Sequence, residues 1–348
     1  MDREAAVRAA FAQQAGYCAA LAAPFTALLC TLAGARLDRS TRIGRRLLDW
    51  DGNPDPFGDA VALRLCGGLH YLARNGGAPG LAPFYPPAPL PDADALWAAI
   101  VPLLDDDALA LWLDGPPQTN EVRRSAVLMS GLLVIAARFG LPLRLYELGA
   151  SAGLNLQLDR YLYDLGGLKT GDPAASFTLK PDWQGPPPPS AEIRIAGRAG
   201  VDLNPVKLPE GRERLIAYVW ADQAQRLAQL EAALAIAAAD PPRVEAGDAA
   251  DWLETNLPLA PEPGLCRVVL HSVAFHYFPD AVKARVTAQI EAAGTQATRE
   301  APLAWLRYEE QPGDGHFSLR LRTWPDGGDE LLAWVHPHGR TVKWVSKV

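Results

Sequence analysis

Hydrophobic residues in the first third of the chain recur at intervals of three and four, as one face of an amphipathic helix requires. The pattern passes through three groups: Val7, Ala10, Phe11 and Gln14; Leu28, Leu29 and Leu32; and Leu63, Leu65, Leu69 and Leu72. No run up to Gly115 alternates apolar and polar residues as a half-buried strand does. We therefore predict a helical N-terminal cap domain over residues 1–115. Within it, the proline-rich segment Pro79–Pro91 is expected to be a connection without regular structure.

The pattern changes character after Gly140. A helix that Thr119 or Asn120 could cap is predicted to end at this glycine. Beyond it, strand-like and helix-like segments alternate, which is typical of a parallel sheet with crossover helices. The predicted strands are Leu141–Tyr146, Ile193–Val201, a short strand near Val244, Arg267–Leu270 and Leu303–Tyr308. The predicted helices are one that begins near Leu154, then Arg212–Ala238 and Asp280–Ala293.

The C-terminal segment interrupts this alternation. Phe317–Trp324 and Leu331–Val335 flank the turn sequence PDGGD and predict a β-hairpin, and a last strand is predicted at Val342–Val345. Residues 116–348 are therefore predicted to form an α/β domain whose mostly parallel sheet ends in an antiparallel hairpin. The fold class predicted for the whole chain is α/β with an added all-α domain.

Composition and charge exclude several classes of partner. The chain has 348 residues and a formal net charge of -7, which argues against a surface that neutralises nucleic-acid phosphates. The most apolar segment, Ala19–Ala35, contains Pro24 and two threonines and is shorter than the roughly 20 apolar residues that span a bilayer. We therefore expect no nucleic-acid partner and no membrane partner.

The cysteines are far apart in sequence and include no C-x-x-C pair. They are Cys18, Cys30, Cys66 and Cys266. Nothing in the chain resembles a secretory leader. This cysteine usage predicts reduced thiols and a cytoplasmic protein.

The stretch YELGASAGLN, Tyr146–Asn155, supports two interpretations. Its core, which runs from Gly149 through Ser151 to Gly153, matches the G-x-S-x-G turn that presents the nucleophile of α/β-hydrolases. Such a turn normally follows several strands and has an oxyanion loop upstream, whereas everything before Leu141 is predicted to be helical. The topology therefore disfavours a hydrolase.

A hydrolase nevertheless remains one alternative, because the chain order permits a catalytic triad. Ser151 would be followed by Asp248 and then by His271 or His276. The dinucleotide-binding fingerprint G-x-G-x-x-G fits less well, because Ser151 occupies a position where glycine is required.

The pattern E-x-G-x-S-x-G-x-N, Glu147–Asn155, resembles the first motif of class I S-adenosylmethionine-dependent methyltransferases, with serine in the middle glycine position. Three later segments resemble the following motifs in the same order: AGVDLNP at Ala199–Pro205, VEAGDAADWL at Val244–Leu253 and RVVLHSVAFHYF at Arg267–Phe278. Four ordered matches are more specific than a single glycine-rich loop. The resemblance implies a Rossmann-like methyltransferase sheet and S-adenosylmethionine as cofactor.

The same resemblance implies which residues would contact the cofactor. They are Glu147, Gly149, Ala150, Ser151, Gly153, Asn155, Asp202, Leu203, Asp248, Ala249 and His271. The glycine-rich loop would let the backbone approach the methionine portion, and the Glu147 carboxylate at the strand end can accept hydrogen bonds. Asp202 would accept both ribose hydroxyls, while Asp248 would accept from the adenine amino group and Ala249 would line the adenine ring.

The spacing between the first two motifs departs from the superfamily pattern. Glu147 and Asp202 are 55 positions apart, whereas a compact βαβ unit would place them about 20 to 25 positions apart. An insertion that carries Trp183 and the segment GPPPP must occupy the difference. If the second strand is instead Ser176–Leu179, Asp182 replaces Asp202 as the candidate.

Four segments are similar to a narrower family. ELGASAGLNLQLDRY, GVDLNP, VLHSVAFHYFP and HPHGRTVKW together resemble the bacterial domain-of-unknown-function family 2332, over most of the chain. This resemblance implies no established activity.

Methyl transfer is an in-line displacement, so the enzyme must align the acceptor and, where the acceptor carries a proton, remove it. His271 and His276 follow the predicted fourth strand and are the candidate bases, since histidine exchanges protons near neutrality. His336 and His338 are interpreted as part of a turn, so no metal site is expected. The candidate substrate-binding residues are Gln118, Asn120, Arg123, Tyr277 and Glu309.

These observations favour an S-adenosylmethionine-dependent methyltransferase that acts on a small molecule. The first alternative is a non-catalytic Rossmann-like protein that binds a ligand or serves as a scaffold, since no decisive catalytic signature is present. The second is an α/β serine hydrolase that uses Ser151.

Overall fold

The computed structural model describes residues 2–311, 313 and 315–347. The chain forms two compact units. The first unit comprises Met1–Thr119 together with Glu210–Ala228, and the second comprises Asn120–Pro209 together with Gln229–Val348. Residues 210–228 therefore belong to the unit of the N-terminal helices, which the sequence pattern did not indicate.

Helices dominate the first unit. The α-helices of the chain are α1 (Arg3–Ala20), α2 (Pro24–Arg36), α3 (Arg42–Leu48), α4 (Val61–Arg74), α5 (Ala93–Ile100), α6 (Asp107–Ala110), α7 (Arg124–Phe139), α8 (Arg212–Ala217), α9 (Ala224–Ala239), α10 (Ala249–Asn256) and α11 (Asp280–Thr295). Every regular element that the structure describes between residues 2 and 119 is a helix, in agreement with the periodicity of that region.

One hydrophobic core holds the first unit together. Its buried side chains recur along α1, α2 and α4 and include Val7, Phe11, Leu29, Leu65 and Leu69. These positions belong to the three-and-four spacing that predicts amphipathic helices. Burial of each such side chain stabilises the fold by roughly 1.5–3 kcal/mol.

Two adjacent glycines let aromatic rings approach the backbone of α4. A Cβ atom on Gly67 would lie 2.6 Å from Cε1 of Tyr218, and one on Gly68 would lie 2.9 Å from Cβ of Trp112. Tyr218 belongs to the returning segment 210–228. The two glycines therefore allow this segment and Trp112 to pack closely on α4.

The returning segment also caps a helix. The residue before α2 gives no side-chain cap. Instead, the Asp222 carboxylate accepts hydrogen bonds from Phe25 N at 2.7 Å and from Thr26 N and Thr26 Oγ1 at 3.0 and 2.8 Å. A negative charge is favourable there because it meets the positive end of the helix dipole. The prediction of a single helix over Arg212–Ala238 is wrong, because the structure has two helices there, α8 and α9. Asp222 lies in the break between them, which allows it to reach α2.

A large sheet forms the centre of the second unit. The strands of the chain are β1 (Leu143–Leu148), β2 (Leu162–Leu165), β3 (Leu168–Gly171), β4 (Thr178–Leu179), β5 (Asp182–Gln184), β6 (Ile195–Asp202), β7 (Val244–Ala246), β8 (Cys266–Ser272), β9 (Leu303–Glu310), β10 (Phe317–Trp324), β11 (Asp329–Val335) and β12 (Thr341–Trp344). Their order across the large sheet is β5-β12-β11-β10-β9-β8-β1-β6-β7.

The large sheet combines a parallel part with an antiparallel part. Neighbouring strands from β9 through β8, β1 and β6 to β7 are parallel. The strands β9 to β12 are antiparallel neighbours in chain order, and β5 pairs in parallel with β12. The predicted α/β class, with a mostly parallel central sheet and a C-terminal antiparallel hairpin, is confirmed.

The order of the parallel strands reverses beside β1. β6 and β7 follow β1 on one side, whereas β8 and β9 continue on its other side. Such a reversal leaves a crevice at the carboxyl ends of the strands, where open α/β sheets bind ligands. The ends of β1, β6 and β8 are therefore the expected location of a site.

Both faces of the parallel strands are covered. On one face, α10 and α11 share a core with Tyr146, Val201 and Val269. On the other face, α7 packs on β9, where a Cβ atom on Gly131 would lie 2.5 Å from Cδ1 of Leu306. Every residue of β8 is buried, as expected of a parallel strand covered on both faces.

The first part of the insertion between the two motifs forms a small separate sheet, in the order β3-β2-β4, whereas its strand β5, which contains Trp183, joins the edge of the large sheet. The helix predicted from Leu154 is instead a short 3-10 helix, Leu154–Arg160. The alternative second strand at Ser176–Leu179 is excluded, because β4 belongs to the small sheet and Asp182 opens β5 at the far edge of the large one. The strand that pairs with β1 is β6, and it ends at Asp202.

Replacing Asp222 by Ala should lower the free energy of unfolding by about 1 to 3 kcal/mol, because two backbone N–H groups at the start of α2 lose their acceptor. Urea-induced unfolding followed by circular dichroism measures the change. Asp51→Ala is the matched control, because Asp51 pairs with Arg3 at the surface and its side chain is 88% exposed. Its effect should stay below about 1 kcal/mol. Equal effects of the two substitutions would contradict a capping role for Asp222.

Candidate functional site

Two glycines in the left-handed conformation shape the loop after β1. Gly149 and Gly153 have φ angles of 73° and 74°. A Cβ atom on Gly149 would lie 2.5 Å from Cβ of Ala274, and one on Gly153 would lie 2.8 Å from Cβ of Pro242. Glycine is therefore required at both positions by conformation and by space. The neighbouring atoms that leave no room for a Cβ are atoms of the protein itself and not of a ligand.

Ser151 also adopts the left-handed conformation, with a φ angle of 53°. This conformation costs a residue other than glycine roughly 1–3 kcal/mol. The Ser151 N–H donates to Oδ2 of Asp202 at 2.9 Å, and the Ser151 carbonyl accepts from Val206 N at 3.2 Å. The Ser151 hydroxyl is buried and has no hydrogen-bond partner among the described residues. The backbone of Ser151, rather than its side chain, therefore holds the loop.

The Asp202 carboxylate joins the ends of two neighbouring strands. In the pairing of β1 with β6, Leu148 lies opposite Val201, so Asp202 follows at the carboxyl edge of the sheet. Besides the Ser151 N–H, the carboxylate accepts from Asn204 N at 2.9 Å through Oδ1. The first and second motifs therefore meet at this edge.

Glu147, the acid of the first motif, is buried, with 1% of its surface exposed. Burial raises the pKa of Glu147 to about 8; a hydrogen bond from Asn155 opposes the rise, the charge of Asp202 adds to it, and the charge of Arg124 opposes it. One carboxyl oxygen, Oε2, has no partner in the part of the chain that is described. Glu147 is therefore mainly protonated at neutral pH, so it offers a donor where the sequence analysis expects an acceptor.

Polar side chains before and within α7 support the loop. Asn155 Oδ1 accepts from Ser125 Oγ at 2.7 Å, and Asn120 Oδ1 accepts from Leu154 N at 2.9 Å. The predicted helix cap at Thr119 or Asn120 is wrong, because α7 begins later and has no side-chain cap. Asn120 instead satisfies the backbone of the loop that carries the first motif.

The acid of the third motif caps a helix. Asp248 Oδ1 accepts from Ala250 N at 2.8 Å and from Asp251 N at 3.2 Å, at the start of α10. Ala249 is 7% exposed and belongs to the core under α10. Capping alone therefore accounts for Asp248, and Ala249 has little surface to offer a ligand.

The backbone joins the second motif to the third. Gly247 N donates to the Asp202 carbonyl at 3.0 Å. Leu203, which follows Asp202, exposes 67% of its surface. An apolar side chain therefore faces solvent next to the Asp202 carboxylate.

A buried carboxylate binds both candidate histidines. Glu309 Oε1 accepts from His271 Nδ1 at 2.7 Å, and Glu309 Oε2 pairs with His276 Nδ1 at 3.0 Å. Oε1 also accepts from Ala274 N and Phe275 N, both at 3.0 Å. Although burial raises the pKa of Glu309, the hydrogen bonds from His271 and His276 lower it well below its usual range. Glu309, a predicted substrate-binding residue, is therefore ionised and orders the loop after β8.

Both ring nitrogens of His271 are occupied. Trp305 Nε1 donates to His271 Nε2 at 3.1 Å, so Nε2 is the acceptor and Nδ1 carries the proton shared with Glu309. The side chain is 1% exposed, which leaves no ring nitrogen for a substrate or a cofactor. This geometry does not support the predicted role of His271 as a base. His276 keeps 27% of its side chain exposed, on a 3-10 turn after β8.

The sequence analysis missed a strained residue after β8. Val273 has a φ angle of 52°, which is a genuine outlier for a β-branched residue. Its N–H donates to the Tyr308 carbonyl at 2.7 Å. Val273 and Ser151 thus follow the two strands between which the strand order reverses. Strain of this kind clusters at functional sites, and no local sequence signal reveals it, because valine has no preference for positive φ.

Arg124 is a second residue that the sequence analysis missed. Its Nη1 donates to the Ser272 carbonyl at 3.0 Å, and its Nε donates to the Pro337 carbonyl at 2.9 Å. Its neighbour Arg123, a predicted substrate-binding residue, donates through Nε to Gln229 Oε1 at 2.8 Å. Arg124 therefore brings a positive charge to the end of β8. The adjacent arginines in the sequence indicate a positive charge near this site, but they do not show which of the two reaches the end of β8.

A family model described as an uncharacterized protein conserved in bacteria (DUF2332) matches residues 8–344. The chain belongs to this family. The narrower of the two sequence resemblances is therefore confirmed. No curated protein and no solved structure matches the chain. No helix in the described ranges is both long and apolar enough to cross a membrane.

The other predicted residues of this DUF2332 chain have varied surroundings. Gln118 belongs to the first unit. Tyr277 is 61% exposed, and its ring centroid lies 3.8 Å from that of His276. His336 Nδ1 accepts from His338 N at 3.1 Å, within the turn after β11. No three His, Cys, Asp or Glu side chains of the described residues are arranged to hold a metal ion.

Glu147 contributes to the pH dependence of stability. Its pKa is about 8 in the folded chain, against 4.5 for an unperturbed glutamate. Between these values the folded state holds a proton that the unfolded state has released. This carboxyl group therefore lowers the free energy of unfolding as pH rises through that range, by up to about 1.4 kcal/mol per pH unit.

Glu147→Gln should remove this contribution while keeping the shape of the side chain. We expect the free energy of unfolding of the variant, relative to the original chain, to increase steadily from pH 5 to pH 8. Urea titrations at several pH values measure the difference. A difference that stays constant over this range would mean that Glu147 is ionised in the folded chain.

Proposed function

We propose that the protein is an S-adenosylmethionine-dependent methyltransferase that acts on a small molecule. The observation that carries this proposal is the hydrogen bond from the Ser151 N–H to the Asp202 carboxylate. It joins the loop and the acid that the methyltransferase resemblance assigns to the methionine and ribose portions of the cofactor. Both lie at the carboxyl edge of the sheet, beside the reversal of strand order, where ligand binding is favoured.

The strand order supports the proposal. Numbered along the chain, the five parallel strands lie in the order 3-2-1-4-5. This is the order of the first five strands in a doubly wound nucleotide-binding sheet. Beyond these five strands, the sheet continues antiparallel through β10, β11 and β12.

Asp202 has the capacity to bind ribose hydroxyls. A carboxylate has about four lone-pair sites, and Asp202 uses one on each oxygen for the N–H groups of Ser151 and Asn204. The exposed side chain of Leu203 would contact the adenine ring. Asp248 caps α10 through Oδ1, so its other oxygen would accept from the adenine amino group.

His276 is the better candidate for the general base. It is partly exposed, and the ionised Glu309 at its Nδ1 would orient the ring. His271 would act as a positioning residue, because it holds Glu309 in place from the buried side. Tyr277, next to His276, and the polar groups of Asn120 and Arg123 would contact the substrate.

Cofactor binding is tested by thermal unfolding with S-adenosylmethionine, S-adenosylhomocysteine and NAD side by side. A ligand at about 100 times its dissociation constant should stabilise the fold by roughly 2.7 kcal/mol, which raises the melting temperature by several degrees. We expect a rise with both adenosyl compounds and none with NAD. If neither adenosyl compound shifts the melt, the proposal fails.

Two substitutions distinguish the assigned roles. Asp202→Ala should abolish the shift, because it removes the ribose acceptor. Ser151→Ala should leave the shift nearly intact, because the hydroxyl that is lost has no partner within the described part of the chain. Both variants are also melted without ligand, since Asp202 supports the backbone of the loop. The opposite result, with binding lost in Ser151→Ala and kept in Asp202→Ala, would overturn the assignment.

His276→Gln should reduce the formation of S-adenosylhomocysteine by about 100-fold or more while preserving the thermal shift, because general-base catalysis contributes a factor of this size. The protein is incubated with S-adenosylmethionine and a bacterial small-molecule extract, and the product is measured by mass spectrometry. His338→Gln, in the turn after β11, is the matched control and should retain activity. Full activity of His276→Gln would remove its role as the base.

Ligand binding without catalysis is a second candidate function. Both ring nitrogens of His271 are occupied, so His276 is the remaining candidate base of the two histidines. This shortage of catalytic groups favours a protein that binds a ligand without catalysis. Serine hydrolysis has less support, because the Ser151 hydroxyl has no partner among the described residues and Asp248 caps a helix. A covalent adduct between Ser151 and a fluorophosphonate probe would favour the hydrolase instead.

A further inference from the structure

Three of the four cysteines come together in the core of the first unit. Cys18 lies on α1, Cys30 on α2 and Cys66 on α4. The Sγ atoms of Cys30 and Cys66 are 3.7 Å apart, and Cys18 is near enough to raise the pKa of Cys30. No local spacing reveals this cluster, because 36 positions separate Cys30 from Cys66.

A small cavity adjoins Cys66. Its lining includes Cys66, Thr26, His70, Tyr85 and Tyr218. The cavity volume is about 10 Å³, at the lower limit of the space that one water molecule occupies. The hydroxyls of Tyr85 and Tyr218 are buried and have no hydrogen-bond partner among the described residues. The site therefore suits a very small molecule that can both donate and accept hydrogen bonds.

We propose that Cys30 and Cys66 form a reversible disulfide when hydrogen peroxide, a small oxidant that donates and accepts hydrogen bonds, reaches Cys66 from this cavity. The Cys66 thiolate attacks one peroxide oxygen, so that an S–O bond forms, the O–O bond breaks and hydroxide leaves. The Cys30 sulfur then attacks the Cys66 sulfur, so that the S–S bond forms and the S–O bond breaks. The departing oxygen leaves as water with the Cys30 proton. The proton that Cys66 gave up on forming the thiolate neutralises the hydroxide, so that overall two thiols are oxidised and one peroxide is reduced to two waters.

The surroundings of the two thiols set the order of these steps. Cys66 is 7% exposed and lines the cavity, whereas Cys30 is fully buried behind it. The neighbouring thiols of Cys18 and Cys66, together with burial, raise the pKa of Cys30 well above its usual range. Cys30 therefore keeps its proton until it attacks the oxidised Cys66.

The bond requires a small movement. A disulfide has an S–S length of about 2.05 Å, so the two sulfur atoms must approach by roughly 1.6 Å from their separation of 3.7 Å. Side-chain rotation with a slight approach of α2 and α4 would achieve this. Tyr218 packs on Gly67, the neighbour of Cys66, so the bond would form beside the returning segment 210–228.

Peptide mapping tests the proposal. The folded protein is treated with hydrogen peroxide. The peroxide is then removed, the protein is unfolded in urea with an alkylating reagent so that every remaining free thiol is blocked, and it is digested with trypsin. Cys18 and Cys30 fall in the peptide 9–36, Cys66 in 65–74 and Cys266 in 244–267. We expect the first two peptides to become linked, with a loss of two hydrogen atoms, and to separate on reduction. Cys266 is an internal control: burial raises its pKa to about 12, so it should stay reduced under peroxide and be recovered alkylated after unfolding.

Variants identify the two sulfur atoms. Cys18→Ser should retain the link, whereas Cys30→Ser and Cys66→Ser should abolish it. Thermal melts establish that each variant is folded, and the mapping of the original chain stands on its own if one is not. The proposal is overturned if all four cysteines remain alkylated after peroxide, if Cys18 pairs in place of Cys30 or Cys66, or if the link forms only after unfolding in urea.

Discussion

The contact between the Asp202 carboxylate and the Ser151 N–H is the constraint on which the loop after β1 depends. Ser151 sits in a costly backbone conformation, and its buried N–H needs an acceptor that the strand ladder does not supply. Once Asp202 provides it, Gly153 can turn the chain so that the Leu154 N–H reaches Asn120. The loop is therefore ordered by folding, and a ligand that binds there does not bear that entropic cost.

Two buried carboxyl groups near this edge differ in charge, and the number of donors around each explains the difference. Glu309 receives hydrogen bonds from two histidines and two backbone N–H groups, which outweigh the cost of burying its charge. Glu147 has the Asn155 amide, and its other oxygen has no partner among the residues that the structure describes, so burial prevails and it keeps a proton. The site thus combines a fixed negative charge with a neutral carboxyl group that can change its ionisation.

Local sequence patterns were enough to predict secondary structure that depends on regular spacing of apolar residues. The hairpin that begins with Phe317–Trp324 follows from alternation and turn residues, whereas the end of a strand at Asp202 is implied by the motif resemblance. Features that depend on distant partners were not accessible. Asp222 meets Phe25 across 197 positions, and the two nitrogens of His271 are occupied by residues on another strand. A histidine after a strand resembles a base in sequence, and only tertiary contacts distinguish a free ring from a buried one.

The path of the chain between the two units has a genetic consequence. The chain leaves the first unit after Thr119, returns to it at Glu210 and leaves it again after Ala228. A single breakpoint in the gene therefore cannot release either unit whole, and a fragment that ended at Thr119 would lack the Asp222 carboxylate that α2 needs at its first turn. A gene rearrangement that separates one unit from the other would need breaks on both sides of residues 210–228. Recombination at a single point therefore does not separate the two units.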